Sequence, residues 1–280
     1  MKHKTAKDEQ FPVKQLVPAS LRPLVDAYYQ AARQADDIAD DPCLQQDEKL
    51  RRLAAVREAF LQPSAADDLP GIRRLEKLFV AENLDASLFL DLLTAFERDA
   101  SGRPVRIWEE LMDYCRYSAA PVGRFILAVH DEAPSAILPA EQLCIVLQLI
   151  NHLGDIKQDL SRLGRCYIPQ DMMQKYGVRP SDFGLNYTSS AVRELLDEML
   201  SRTGAMLKEA ALLPALIRNF RLRFNICVIL SLTNSVLQKY KRTDFLQNPP
   251  RPNMTDRLKA FCRGMIQALR NRPEGQGRVL

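Results

Sequence analysis

A chain of 280 residues, 46% hydrophobic and 26% charged, is long enough to bury a substantial core and has the make-up of a soluble globular protein. A net charge of +4, with basic and acidic residues interleaved and no platform of aromatic plus basic side chains, argues against nucleic acid as a partner. Six scattered cysteines without a C-x-x-C pair read as free thiols, and the polar stretch 1–10 lacks the apolar run of a signal peptide, so a cytoplasmic protein is expected.

The periodicity is helical throughout, with no convincing strand pair. After a loop over 11–20, a helix is predicted from about Leu21 to Asp40, where Asp41-Pro42 ends it because a residue before proline avoids the helical region. Residues 47–61 form an amphipathic helix, 63–69 a turn-rich loop, and Pro70 a first-turn proline for a helix to Glu82. Asp85 is a candidate cap for a helix to Ala100. Beyond the break at Ser101-Gly102-Arg103-Pro104, residues 107–118 are helical, and Pro121 interrupts the continuation to Val129. A second long helix runs over 139–163 and stops at Gly164. Residues 177–190 are the longest irregular segment, followed by helices over 190–211 and 214–239. A stiff Pro-rich linker begins at Asn248, and a short amphipathic helix spans 255–269 before a tail expected to be disordered. The longest uncharged apolar run, 224–238, is short for a membrane span. The expected architecture is one all-α domain of about ten helices. Residues 1–20 are an N-terminal segment and loop, 21–247 the helical domain, and 248–280 the linker, short helix and tail.

Two stretches carry chemistry. In Arg33-Gln34-Ala35-Asp36-Asp37-Ile38-Ala39-Asp40, Asp36 and Asp40 stand one turn apart on one helix face, with carboxylates roughly 6 Å apart. Like charges at that spacing repel, so something must compensate them. In Asn151-His152-Leu153-Gly154-Asp155-Ile156-Lys157-Gln158-Asp159 the pattern returns, with Asp155 and Asp159 four apart on an apolar helix. Two such pairs look like two walls of one site for divalent cations. The histidine spacing argues against zinc, and no G-x-G-x-x-G follows a strand.

Tyr29-x-x-x-Arg33-x-x-Asp36-Asp37-x-x-Asp40, Tyr114-Cys115 through Val122-Gly123-Arg124, Asn151-x-x-x-Asp155-x-x-x-Asp159 and Gly164-Arg165-Cys166-Tyr167-Ile168-Pro169 stand in order along the chain. Together they resemble the motifs of the squalene/phytoene synthase family over residues 10–245. Phe11-Pro12-Val13, Leu21-Arg22-Pro23, Ala35 to Asp40 and Pro121 to Arg124 are most similar to its hydroxysqualene synthase branch, which serves bacterial squalene and hopanoid synthesis. His152-Leu153-Gly154 replaces bulkier aromatic residues often found there in the family.

The resemblance implies an isoprenoid-synthase helical bundle around a cavity and conversion of presqualene diphosphate and water to hydroxysqualene and diphosphate. The alternative is a head-to-head synthase making presqualene diphosphate, squalene or phytoene from allylic diphosphates such as farnesyl diphosphate. A dead helical assembly subunit is disfavoured because all four motif aspartates are present. Magnesium (Mg2+) is the implied cofactor, held by Asp36, Asp40, Asp155 and Asp159 and completed by substrate phosphate oxygens. Arg33, Arg165 and Asn151 are candidates for the diphosphate, guanidinium forks being suited to phosphate. Tyr29, Tyr117 and Tyr167 are candidates for facing the carbocation, although Tyr29 and Tyr117 could equally be core tyrosines. Tyr114 and Cys115 read as packing. Companion enzymes of squalene synthesis and peripheral contact with the inner membrane are the implied partners, with no transmembrane segment.

Overall fold

The computed structural model describes residues 17–62 and 69–271, and all regular structure among them is helical. Residues 1–16, 63–68 and 272–280 lie outside the described residues, and with them most of the expected N-terminal segment, the expected turn-rich loop and the expected disordered tail. Twelve α-helices follow in chain order: α1 Arg22–Asp40, α2 Gln46–Leu61, α3 Pro70–Ala81, α4 Ser87–Ala100, α5 Trp108–Ser118 and α6 Ala120–Val129 make the first half. Then come α7 Ile137–Gln158, α8 Gln170–Tyr176, α9 Ser190–Ala210, α10 Leu213–Leu216, α11 Phe220–Tyr240 and α12 Met254–Arg270.

Local chemistry explains most boundaries. Pro70 and Pro121 sit in first turns, where a missing N–H costs nothing. Asp85 accepts from the Ser87 backbone N–H at 2.8 Å at the start of α4. Two boundaries differ from the sequence reading. The helix expected over 214–239 is broken at Ile217, whose backbone is extended, because the Asn219 side chain caps a new helix by accepting from Leu222 N–H. Glu132 fixes that break by accepting from the Arg218 and Asn219 backbone N–H groups at 2.7 and 2.8 Å. The helix expected over 139–163 is α-helical only to Gln158. Asp159–Leu163 forms a wider π turn, closed by Gly164 at φ +65°. Within the supposedly irregular 177–190, Pro180–Gly184 is a 3-10 turn.

The apolar faces converge on two core clusters. One gathers α1 to α4 and part of α6 around a stack in which Tyr28 lies 3.9 Å from Phe125 and its hydroxyl donates to Leu88 O at 2.8 Å. The other gathers α5 and α7 to α11 around Leu149, Leu153, Phe183 and Leu195. Ile126 of α6 packs on both. Where α6 crosses α7, the chains approach so closely that a Cβ on Gly123 would lie 2.9 Å from Cys144 Sγ and 3.1 Å from Ala140 O. Two helical segments, 134–163 and 220–240, are long and apolar enough to cross a membrane by composition, and each is about half buried against the rest of the fold.

Candidate active site between two helical walls

The first wall is α1. Its buried stripe of Ala27, Ala31, Ala35 and Ala39 sets the helix against the N-terminal core and leaves Asp36 and Asp40 on the flank. Each aspartate keeps about a third of its side chain exposed. Burial of its carboxylate, then the charge of Asp40, pushes the Asp36 pKa up to about 7, against the lowering effect of Arg33. Arg33 is already engaged, 3.0 Å from Asp36 and 2.7 Å from Asp37. With Tyr29 it lines an open groove of about 450 Å³ along α1 and Arg52.

Asp99, near the C-terminal end of α4, also faces this wall. It accepts from the Tyr167 hydroxyl at 2.7 Å and from the Tyr114 hydroxyl at 2.8 Å. Burial raises its pKa, outweighing nearby Arg165 and both hydrogen bonds. Tyr167 stacks on His152 of α7 at 3.9 Å between centroids, and Tyr114 lies 5.1 Å from Tyr167. Burial pushes the His152 pKa down to about 3, so the ring is neutral, and Gln148 Nε2 lies 3.3 Å from its Nε2. The loop bearing Tyr167 is pinned where Gln170 and Asp171 N–H donate to Val105 and Arg106 carbonyls. Beside Asp99, Tyr114 and Tyr167 opens a cleft of about 500 Å³, rimmed by Arg98, Arg103 and Arg106.

Arg165 joins the walls. It donates to Asp40 Oδ1 at 2.5 Å and to Ala39 O at 2.9 Å. Burial works against its charge, but Asp99, Tyr167 and Asp40 outweigh that and hold it protonated. On the second wall, Asp155 and Asp159 are half-buried and Asn151 is exposed. Asp155 lies near enough to Tyr240 of α11 to raise its pKa, after burial. Gly154 sits beneath that hydroxyl, which a Cβ would meet at 3.2 Å. Lys157 faces away, donating to Asn186 Oδ1 at 3.1 Å.

The structure thus brings together Asp36, Asp40, Arg165 and Tyr167, with Arg33 alongside. It sets Tyr29 in the α1 groove and Tyr117 against Arg98 of α4, its ring face 4.7 Å from that guanidinium. Among the described residues, no group of three or more His, Cys, Asp or Glu is clustered tightly enough to hold a metal alone. The donor set still fits magnesium, which binds through one or two carboxylates and takes its remaining oxygens from water and substrate phosphate. Burial raises the Asp36 pKa most, and a divalent cation would relieve the second contribution, the neighbouring charge of Asp40.

The squalene/phytoene synthase family model matches residues 5–258. The chain belongs to that family. It is 36% identical over 254 residues to the hydroxysqualene synthase of Zymomonas mobilis, covering 90% of this chain and 85% of that one. With the hydroxysqualene synthase of Rhodopseudomonas palustris it shares 34% over 242 residues, covering 86% and 82%. The presqualene diphosphate synthase of Zymomonas mobilis matches at 31% over 165 residues, 58% of this chain and 56% of that one. A solved squalene synthase HpnC from Alicyclobacillus acidocaldarius superposes with a TM-score of 0.72 at 29% identity, covering 83% of this chain and 88% of that one.

The sequence reading passed over Asp99 and Tyr240 and took Tyr114 as packing. Tyr114 packs as expected, but its hydroxyl also serves Asp99, so the packing role was half the account. Asp99 has no i, i+4 acidic partner to mark it. Its signal was subtler: it follows Leu88, Leu92 and Ala95 on the buried stripe of α4, where an unpaired carboxylate is costly.

Proposed function

We propose that this isoprenoid biosynthetic enzyme converts presqualene diphosphate and water into hydroxysqualene and diphosphate. The observation that carries this reading is the likeness, across 86–90% of the chain, to proteins named hydroxysqualene synthase. The site geometry supports it. A prenyl diphosphate needs a clamp for its charged head beside an apolar wall for its chain, and α1 and α7 supply acidic faces on apolar helices.

Asp36 and Asp40 from one wall and Asp155 and Asp159 from the other would hold magnesium with the diphosphate, with Asn151 toward the diphosphate. The bound ion would neutralise the charge that builds on the leaving group. Arg165 is held at the junction of the walls, where a small shift from Asp40 carries its guanidinium fork to a phosphate oxygen. Arg33 occupies the equivalent position one turn from Asp36. As the C–O bond of presqualene diphosphate breaks, the pair leaves with diphosphate and the carbon skeleton becomes a cation. Tyr167, which lines the cleft, would offer that cation its electron-rich ring, with buried and neutral His152 stacked behind it. Water adds its oxygen lone pair to the cation and loses one proton. Asp99, between two tyrosine hydroxyls and with a raised pKa, is placed to orient that water and take the proton.

A second reading, synthesis of presqualene diphosphate from two farnesyl diphosphates, is favoured by the shorter match to a presqualene diphosphate synthase. Incubation with presqualene diphosphate and Mg2+ in ¹⁸O-labelled water, without NADPH, separates the two. Labelled hydroxysqualene is the expected product. Failure to consume presqualene diphosphate, together with its accumulation from farnesyl diphosphate, would replace the first reading with the second.

A further inference from the structure

Helix α12 is anchored firmly yet turns a broad apolar face outward. Its inner face is small, with Ala260, Gly264 and Ala268 buried one turn apart against α11, so close that a Cβ on Gly264 would lie 2.6 Å from Val228 Cγ2. Its N-terminus is closed by a capping box between Asn253 and Asp256. Asp256 is also ion-paired with Lys239 and accepts from Ser235 at 2.8 Å. At the other end buried Arg223 donates to Ala268 O at 3.0 Å and Ile217 O at 2.8 Å. A helix held by these contacts has no need of apolar residues on its outer side.

Those residues are nonetheless there. Relative exposure runs from 49% at Leu269 through 50% at Ile266, 53% at Phe261 and 67% at Leu258 to 81% at Met254. At 100° per residue these positions, with half-buried Met265 between them, fill a sector of about 140° that is open except at its edge, where Phe261 meets Phe224 of α11 edge-on with ring centroids 5.3 Å apart. Arg257 borders one edge, and Lys259, Arg263 and Arg270 border the other. The only acid on the helix, Asp256, is consumed by its inner contacts.

We propose that α12 is an interfacial helix that seats the protein on an anionic lipid surface, its apolar sector in the acyl boundary and its basic edges among the headgroups. An apolar sector rimmed by cations on both edges matches that boundary. A second copy of the chain is a poorer occupant, because pairing two such faces would oppose like charges with no acid between them. The partner helix α11 runs on to Tyr240, whose hydroxyl lies over Gly154, so α11 links α12 to the second wall of the candidate site.

The test uses the purified full-length protein and sedimentation with vesicles of phosphatidylcholine alone or mixed with phosphatidylglycerol, at about 0.1 M salt. Binding is expected to the mixed vesicles and to be weak to the neutral ones. Combined K259Q, R263Q and R270Q should lower affinity for the anionic vesicles roughly 100-fold. Combined L258E and I266E, both at exposed positions, should lower it at least 10-fold while the melting temperature and turnover in detergent stay unchanged. Undiminished vesicle binding by both variants would overturn the proposal. So would an L258E/I266E variant that turns an oligomer into a monomer in sedimentation velocity yet binds vesicles as before, since a second copy would then cover this face.

Discussion

Asp36 and His152 show how burial sets charge at single residues, in opposite directions. The Asp36 pKa is raised from its unfolded value, 3.8, to about 7. Its contribution to stability is therefore fully present below about pH 4 and is lost as pH rises through about 7. We expect Asp36→Asn, without divalent cation, to melt higher than wild type at pH 8, by ~2–4 °C for each kcal/mol of repulsion relieved. The difference should vanish toward pH 4 in a series of thermal melts, while turnover falls about 10²-fold or more. The His152 pKa is lowered from 6.5 to about 3, so its contribution is present above about pH 6.5 and lost as pH falls toward 3. His152→Phe keeps a ring against Tyr167 and removes the group that must charge on unfolding. Its acid denaturation midpoint should move to lower pH, and an unmoved midpoint would place the acid sensitivity elsewhere.

Among the elements, the α6–α7 crossing tolerates little change, because Gly123 meets both a thiol and a backbone carbonyl and the backbone cannot yield cheaply. Gly123→Ala should cost about 1–3 kcal/mol, read from denaturant midpoints at constant m-value. This glycine lies in the Val122-Gly123 motif, so its position was legible though its reason was not. The same holds for much of the fold. Helix α1 and its aspartates were legible because alanine spacing and the i, i+4 pair are local facts. The reach of Arg165 to Asp40 was not, since it spans 125 residues. Nor was the break at Ile217, which depends on Glu132 arriving from a distant turn. The π turn after Gln158 escaped notice because an i, i+4 pattern continues through it unchanged. Asp99 was missed for a related reason: its hydroxyl partners come from α5 and from a loop after α7.

For the whole molecule, the site is a seam between two packed bodies, one built from α1 to α4 with α6, the other from α5 and α7 to α11. On the proposed reading, a ligand that fills the seam would tie both bodies together, and neither magnesium nor a diphosphate alone would find enough ligands to do so. A non-hydrolysable prenyl diphosphate analogue with Mg2+ should therefore raise the melting temperature well beyond the sum of their separate effects. Additive shifts would mean that metal and diphosphate occupy separate places.

The Arg165–Asp40 contact also has a meaning in time. Ribosomes add about 5–20 residues per second, so roughly 6–25 s separate the making of Asp40 from that of Arg165. Over that interval Arg33 is at hand for Asp36 and Asp37, but Asp40 lacks the Arg165 guanidinium that answers it in the finished fold. The half of the molecule born first can bury its aromatic stack, but its reactive face completes only when the later half is made and docks. A fragment released early would carry Asp36 and Asp40 without Arg165, and the clamp proposed for the diphosphate would be complete only after the later half is made.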